Sequence, residues 1–458
     1  MDLKERTHLG STNLRELIED FRRSRTRNEE RMTIQKHRGY LRENMKNLNH
    51  EQRSNGILKL MWMNMLGYDT EFALVECMNS LFLDNFKLKT IGYLGLTMFL
   101  SRKSEVLLMV TNRIRLDLEN RANDFVVSAA LKTFSEIGDG NMSQELFPIL
   151  KSLLEHESKY IRKKVCLALK RVLMQKPDLT LDLKPSFLSL LKENNSGLLL
   201  CTLHLARKVL KINPKEFHGI FCDAQAHLLG KLRQTSAKST GNYLINGVND
   251  PFLQAELVGF LLEFLSLPQT KNLDHFEDMV SEFGSCLLAV YREIQDFGGS
   301  TARAMFYQIA RAIMQIPYSA IALKKVGIAI LGGFLGLKNK NYLFVSLKML
   351  CLISQKYSSE VSRHNSLIMK CVNDKDFSIK RLALQILLQT TDAENLREVC
   401  QLFFKEIRKE SNPRRAQEMA KQSLQLIQRA GSTRLEIIDL IFELLQALHS
   451  DVKLSTES

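Results

Sequence analysis

The stretch SKYIRKKVCLALKRVL, Ser158 to Leu173, decides how this chain folds. On a helical wheel at about 100° per residue, Ile161, Val165, Ala168, Leu169 and Val172 share one face; Lys163 and Lys170 lie opposite, and Lys164 and Arg171 flank them. The pattern predicts an amphipathic helix with its cations outward. Ser158 is placed to be its N-cap, accepting a hydrogen bond from one of the first free amides. A buried large aliphatic contributes about 1.5 to 3 kcal/mol and an exposed cation little, so packing dominates this segment and its charges remain free for a surface role.

The same grammar recurs. In DKDFSIKRLALQIL, Asp374 to Leu387, a polar turn leads to Ile379, then Lys380 and Arg381, then Ala383, Leu384 and Leu387. Looser copies are NNSGLLLCTLHLARKVL from Asn194, NKNYLFVSLKMLCLI from Asn339, NDFVVSAALKTFSEI from Asn123 and TEFALVECMNSLF from Thr70. Several lie about 35 to 40 residues apart, the spacing of HEAT and armadillo helix pairs. One such pair alone leaves an apolar face wet, so neighbours must stack, and the prediction is an all-α chain: a curved α-solenoid of HEAT/armadillo-like helix pairs.

Punctuation agrees. Only eight prolines occur, and Pro177, Pro214, Pro251, Pro268, Pro317 and Pro413 fall between apolar-periodic segments, where helix breakers belong. No stretch has the sustained alternation of a sheet. The polar run LRQTSAKSTGNYLINGVND reads as a loop over 232–250 between solenoid halves at 1–231 and 251–448, and 449–458 as a disordered tail.

The 458 residues are 45% hydrophobic, enough for a large core, which excludes a disordered protein. Lys and Arg number 64 against 50 Asp and Glu, a net charge of +14, which favours phospholipid head groups, nucleic acid or acidic proteins as partners. The opening MDLKERTHLG lacks a signal-peptide core, and VGIAILGGFLGL, Val326 to Leu337, is too short to span a membrane; the expected location is cytoplasmic. The eight cysteines, Cys77, Cys166, Cys201, Cys222, Cys286, Cys351, Cys371 and Cys400, form no C-x-x-C pair and read as reduced core thiols.

Catalytic signatures are missing: there is no H-E-x-x-H, G-x-S-x-G or phosphate-binding G-x-x-x-x-G-K-[ST]. In GGFLGLKNK, Gly332, Gly333 and Gly336 are expected to serve helix packing. His218, Cys222 and His227 follow no metal-ligand spacing, and Met61, Met63 and Met65 read as core. No enzyme activity, catalytic residue, cofactor or metal is therefore expected. Basic residues crowd LRELIEDFRRSRTRNEER, where Arg22, Arg23, Arg25 and Arg27 lie without interleaved aromatics. Single-stranded nucleic acid calls for such stacking platforms, whereas an anionic membrane or acidic peptide does not, so no nucleic acid is expected.

A family resemblance is carried by LRELIEDFRRSRTRNEER, LKLMWMNMLGYDTEF, IGYLG, LLMVTNRIRLDL, YIRKK, NDPFLQ and RHNSLIMKCVNDKDFSIKR, in that order. Together they resemble the trunk of the large chains of the heterotetrameric clathrin adaptors, most of all the gamma chain of the trans-Golgi and endosomal adaptor. The match runs from Leu14 to about Arg381 and weakens beyond. It implies a solenoid that binds a sigma-type small chain and, with a beta-type large chain and a medium chain, forms a core recruited to membranes by an Arf-family GTPase and phosphoinositides. It further implies recognition of acidic dileucine cargo signals, with Arg22 as the arginine facing the acidic position; a guanidinium offers a carboxylate a fixed fork of donors. Val75 and Met78 resemble the apolar positions offered to the GTPase, although Asn79 stands where the family tends to have lysine. Arg23, Arg25 and Arg27 are assigned to the phosphoinositide side on their charge.

The family's large chains continue through more trunk, a hinge and an ear domain. This chain ends at Ser458, so the expectation is a fragment, a short isoform or a reduced paralogue, and clathrin binding through hinge and ear is not carried over. The expected function is that of a gamma-adaptin-like adaptor subunit in vesicle transport, peripheral on trans-Golgi and endosomal membranes and coated vesicles. Each cation near an anionic leaflet is worth about 1 kcal/mol, so recruitment should be salt-sensitive. The alternative is a freestanding HEAT-repeat scaffold for acidic proteins or nucleic acid.

Overall fold

The computed structural model describes residues 12–100, 106–120, 123–236, 243–316, 321–410, 412–430 and 433–452. They form two compact units, Met1–Leu228 and Leu229–Ser458. The first holds α1 (Leu14–Arg23), α2 (Arg27–Asn44), α3 (His50–Met65), α4 (Ala73–Leu81), α5 (Phe86–Phe99), α6 (Leu107–Glu119), α7 (Asp124–Ile137), α8 (Gly140–Leu153), α9 (Lys159–Gln175), α10 (Lys184–Leu191) and α11 (Ser196–Ile212), and the unit boundary falls inside α12 (Pro214–Ser236). In the second, a two-stranded hairpin, β1 (Leu244–Ile245) and β2 (Val248–Asn249), precedes α13 (Pro251–Leu265), α14 (Pro268–Lys271), α15 (Phe276–Ile294), α16 (Ser300–Gln315), α17 (Ile321–Leu335) and α18 (Lys340–Ile353). After these come α19 (Ser358–Val361), α20 (Asn365–Val372), α21 (Phe377–Thr390), α22 (Leu396–Ile407), α23 (Pro413–Ala430) and α24 (Arg434–Val452).

Within each unit the helices pack as an all-α solenoid. In the first, alternate helices stack on one another, α3 on α5, α5 on α7, α7 on α9 and α9 on α11, while α6 packs on α8 in the other layer. The second repeats this, with α13 on α16, α18 on α21 and α21 on α23 in one layer and α20 on α22 on α24 in the other. Short polar turns make the repeats because each carries a cap. Asn85, Asn123, Asn195, Asn339 and Asp376 each accept a backbone N–H at the start of α5, α7, α11, α18 and α21, at 2.8 to 3.1 Å, worth about 1 kcal/mol apiece. Ser158 departs from this expectation: it stands at the N-cap of α9 with no capping bond from its hydroxyl. The turn is held instead by the Ser158 amide donating to His156 Nδ1 at 3.1 Å.

The apolar face of α9 is core, with Ile161, Val165, Ala168, Leu169 and Val172 fully buried. Its cations are less free than the wheel implies. Lys163, Lys164, Lys170 and Arg171 are half-buried; Arg162 bridges to Glu193 ahead of α11 at 3.3 Å, and Arg171 donates from Nε to the Gly138 carbonyl that ends α7 at 3.0 Å. Lys380 on α21 likewise meets Glu406 on α22 at 2.7 Å, while Arg381 stays exposed. A wheel drawn for one helix omits the neighbouring repeat, which covers both flanks of the polar face, so part of the charge stitches repeats together instead of facing solvent.

The stretch 232–250 also differs from a loop. α12 continues to Ser236, and Asn246 and Gly247, at φ of 50° and 85°, turn the chain between β1 and β2. Both central residues at positive φ make the type I′ geometry that Asn-Gly favours. The register pairs Leu244 with Asn249 and Ile245 with Val248. Because two strands alone are marginal in water, the hairpin needs anchors: the Phe297 ring lies against Gly247, and Asn246 Nδ2 donates to Thr301 Oγ1 at 3.0 Å. Residues 237–242, Pro317 and the opening ten residues lie outside the described residues; of the expected disordered tail at 449–458, residues 449–452 are the end of helix α24, and the rest lies outside the described residues.

Core chemistry follows burial. Burial pushes the thiols of Cys77, Cys166 and Cys400 up to about 12; Cys286 and Cys371 are buried too, Cys201, Cys222 and Cys351 are half-buried, and all eight are free. Met61 and Met63 are core, but Met65 is 69% exposed. Of the three glycines in GGFLGLKNK only Gly332 serves packing, seating the His364 ring against α17; Gly333 and Gly336 meet no side chain. Lys324, which sequence alone did not single out, is buried and closes the end of α16 by donating to the carbonyls of Ile313, Met314 and Ile316 at 2.5, 3.0 and 2.8 Å.

Candidate functional site

Helix α1 begins with a capping box, in which Asn13 Oδ1 accepts from the Glu16 amide at 3.0 Å and Glu16 Oε2 accepts from the Asn13 amide at 2.8 Å. Its buried Leu17 and the edge of Phe21, 5.2 Å from the Trp62 ring, fix it on α3. That docking turns Arg22 and Arg23 outward in the last turn, and Arg25 and Arg27 follow in the bend to α2; all four are exposed. Arg22 and Arg23, in the last turn of α1, also complement the negative end of its dipole, whereas Arg27 opens α2. Arg23 pairs with Asp20 at 3.6 Å, and among the described residues Arg22 has no ion pair. The structure thus gathers the four arginines on one bend.

It separates the other assigned pair. Val75 is 57% exposed on α4, whereas Met78 is buried at 7%. The 100° helical step puts Val75, Asn79 and Phe82 on one side and turns Met78 toward the core with Cys77 and Leu81. Of the assigned pair, therefore, only Val75 presents a substantial surface, and Met78 sits in the core of the folded chain. Met78→Asp should unfold the first unit by burying an unpaired carboxylate, read as lost helical ellipticity at 25 °C; a folded variant would return Met78 to the surface.

Aromatic side chains supply the apolar surface that Met78 does not. Phe82 is 62% exposed beneath the Arg113 guanidinium, 5.4 Å from its ring centre. Phe86, Phe125 and Tyr160, at the starts of α5, α7 and α9, form a ladder with centroid spacings of 6.1 and 6.3 Å. Sequence reading missed it because the rings lie 35 or more positions apart, as Phe86, Phe125 and Tyr160 do; an aromatic just after each repeat's cap was the available signal. The rings tilt at 60° and 53° and pack on one another, so they offer edges, not separated faces between which a base could stack.

Among the described residues no three His, Cys, Asp or Glu side chains gather as a metal site requires. His218 and Cys222 stand one turn apart at 3.7 Å on α12. Among the described residues no helix is long and apolar enough to cross a membrane.

Comparison with known proteins was made on this background. Residues 30–456 match the family model described as the adaptin N terminal region. The AP-1 complex subunit gamma of Dictyostelium discoideum is 32% identical over 388 residues, covering 84% of this chain and 42% of that protein. The AP-1 complex subunit gamma-like 2 of Mus musculus is 32% identical over 393 residues, covering 85% and 48%. The chain thus spans less than half the length of these relatives. Among structures, a chain in a homology model of the full-length AP-3 complex in an intermediate open conformation aligns with a TM-score of 0.58 at 19% identity, covering 83% of this chain and 64% of that one.

Proposed function

The chain belongs to the adaptin N-terminal-region family, and from that premise we propose that it is the trunk of a gamma-adaptin-like large subunit of a vesicle-coat adaptor. It works by binding, not catalysis. A sigma-type small chain, a beta-type large chain and a medium chain complete its assembly. It acts on the cytoplasmic side of trans-Golgi or endosomal membranes, recruited by an Arf-family GTPase and an anionic phosphoinositide surface.

The single observation that supports this best is the family match across nearly the whole chain, joined to likeness with AP-1 gamma subunits. The surface is compatible with each role. Arg22 stands exposed on a docked helix, free to fork a cargo carboxylate; Arg23, Arg25 and Arg27 face the same solvent for phosphoinositide; and Val75, with Phe82 in place of the buried Met78, gives the GTPase an apolar patch.

Co-expression with a sigma-type chain tests the assignment: a heterodimer that survives 0.5 M salt is expected, and a chain that stays monomeric would favour the freestanding scaffold. In the assembled adaptor, Arg22→Ala should weaken an acidic dileucine peptide about tenfold, the scale of one charge-assisted hydrogen-bond pair. Val75→Asp should lower GTP-dependent recruitment to vesicles while the chain stays folded. Unchanged peptide affinity removes Arg22 from cargo binding, and unchanged recruitment removes the Val75 patch.

A further inference from the structure

We propose that the groove between α21 and α23 is a binding site for a short extended peptide carrying a carboxylate side chain. The groove encloses about 710 Å³ and lies wholly within the second unit. Along α21 it runs from Phe377 to Gln389, about 18 Å at 1.5 Å per residue, which holds about five residues of extended chain at 3.3 Å each.

Its lining is graded. At the end where α21 and α23 begin stand Arg381 and Arg415, both exposed, with the Arg415 guanidinium over the Phe377 ring at 5.0 Å. Stacking on a ring leaves the in-plane N–H donors of a guanidinium available to a carboxylate. Half-buried Leu384, Leu388 and Met419 provide an apolar strip, and Gln385, Gln422 and Gln425 border it. A carboxamide both donates and accepts, so glutamines spaced along the two helices match the alternating N–H and C=O of an extended backbone and ask nothing of its sequence. Specificity then falls to the arginines and the apolar strip.

Other charged side chains of the lining engage one another or the backbone. Glu406 takes Lys380 at 2.7 Å and Lys409 at 3.0 Å; burial pushes its carboxyl up, but these two hydrogen bonds outweigh that and hold it below the usual range. Glu410 accepts from the Asn412 amide at 3.2 Å. The lining therefore sets four cations, Lys380, Arg381, Lys409 and Arg415, against three carboxylates, Glu406, Glu410 and Glu418, an excess of one positive charge that favours an anionic side chain, with Arg381 and Arg415 in no ion pair among the described residues. The inference stands on this geometry independently of the adaptor assignment.

The probe is a fluorescein-labelled, end-blocked hexapeptide, Asp-Asp-Ser-Leu-Gly-Ser, titrated with the full chain by fluorescence anisotropy. Saturable binding is expected. Arg381→Ala and Arg415→Ala should each raise Kd about fivefold or more, and the double variant Gln385→Ala with Gln422→Ala about threefold or more. Arg415→Lys, which keeps the charge and loses the planar fork, should weaken binding nearly as much as Arg415→Ala and serves if the alanine variant disturbs α23. The proposal is overturned by absence of saturation, by equal affinity for the peptide with Asn in place of both Asp, or by unchanged affinity in the folded Arg381→Ala and Arg415→Lys variants.

Discussion

Asp117→Ala should cost the first unit about 3 to 5 kcal/mol, the usual loss when one partner is removed from a buried ion pair. Asp117 on α6 is 1% exposed. Its Oδ1 accepts from Lys89 Nζ at 3.1 Å and from Arg113 Nη2 at 2.6 Å, and its Oδ2 accepts from the Tyr93 hydroxyl at 2.6 Å. Lys89 and Tyr93 both sit on α5, so one carboxylate ties two helices and is shared by two cations held largely out of water. Burial, and then the Asp117 charge, push the Tyr93 phenol far above its ordinary range, keeping it a donor at every pH the fold survives. Removing the carboxylate strands Lys89 at 7% exposure, whereas Tyr93→Phe gives up one hydrogen bond to a charged group, about 1.5 to 3 kcal/mol. Urea unfolding followed by far-UV circular dichroism should rank Asp117→Ala well below Tyr93→Phe in midpoint. A loss under about 1 kcal/mol for Asp117→Ala would mean that the cations find water, and that the cluster does not hold α5 to α6.

The second large effect concerns the two glycines of IGYLG. A Cβ at Gly92 would lie 2.8 Å from the Cys77 carbonyl oxygen, and one at Gly95 would overlap the Cys77 Sγ. Both glycines therefore mark where α5 comes closest to α4. Alanine favours a helix over glycine by about 1 kcal/mol, yet overpacking costs about 1 to 3 kcal/mol or more, so the clash decides the sign and both substitutions should destabilise. Their partners differ, and that separates them. In a Cys77→Ala background the obstacle to Gly95→Ala is gone, and the substitution should become neutral or stabilising; Gly92→Ala should remain destabilising there because its obstacle is main chain. Double-mutant cycles on unfolding free energy measure this directly. Equal penalties for Gly95→Ala in both backgrounds would show that something other than the Cys77 thiol enforces the glycine.

Much of the architecture was legible in the chain. The all-α class and the helix-pair solenoid follow from 3.6-residue periodicity and recurrent Asn or Asp caps, and the core face of α9 was read residue by residue, because burial on one helix face is a local property. The exposure of Arg22 beside Leu17 and Phe21 was readable for the same reason. The Asn-Gly hairpin was equally present in the letters and was passed over because its flanking strands are only two residues long.

Sequence by itself thus determined which segments become helices, where they stop and which side of each is greasy. Only the tertiary structure decided which polar flanks the neighbouring repeat covers: Arg162 and Lys380 spent on Glu193 and Glu406, Met78 turned inward beside an exposed Val75, Asp117 holding three donors, and Phe86, Phe125 and Tyr160 brought into one ladder. Those outcomes depend on contacts between residues tens of positions apart, set by how closely two helices can approach, and a single-helix pattern carries no information about the helix that will lie beside it.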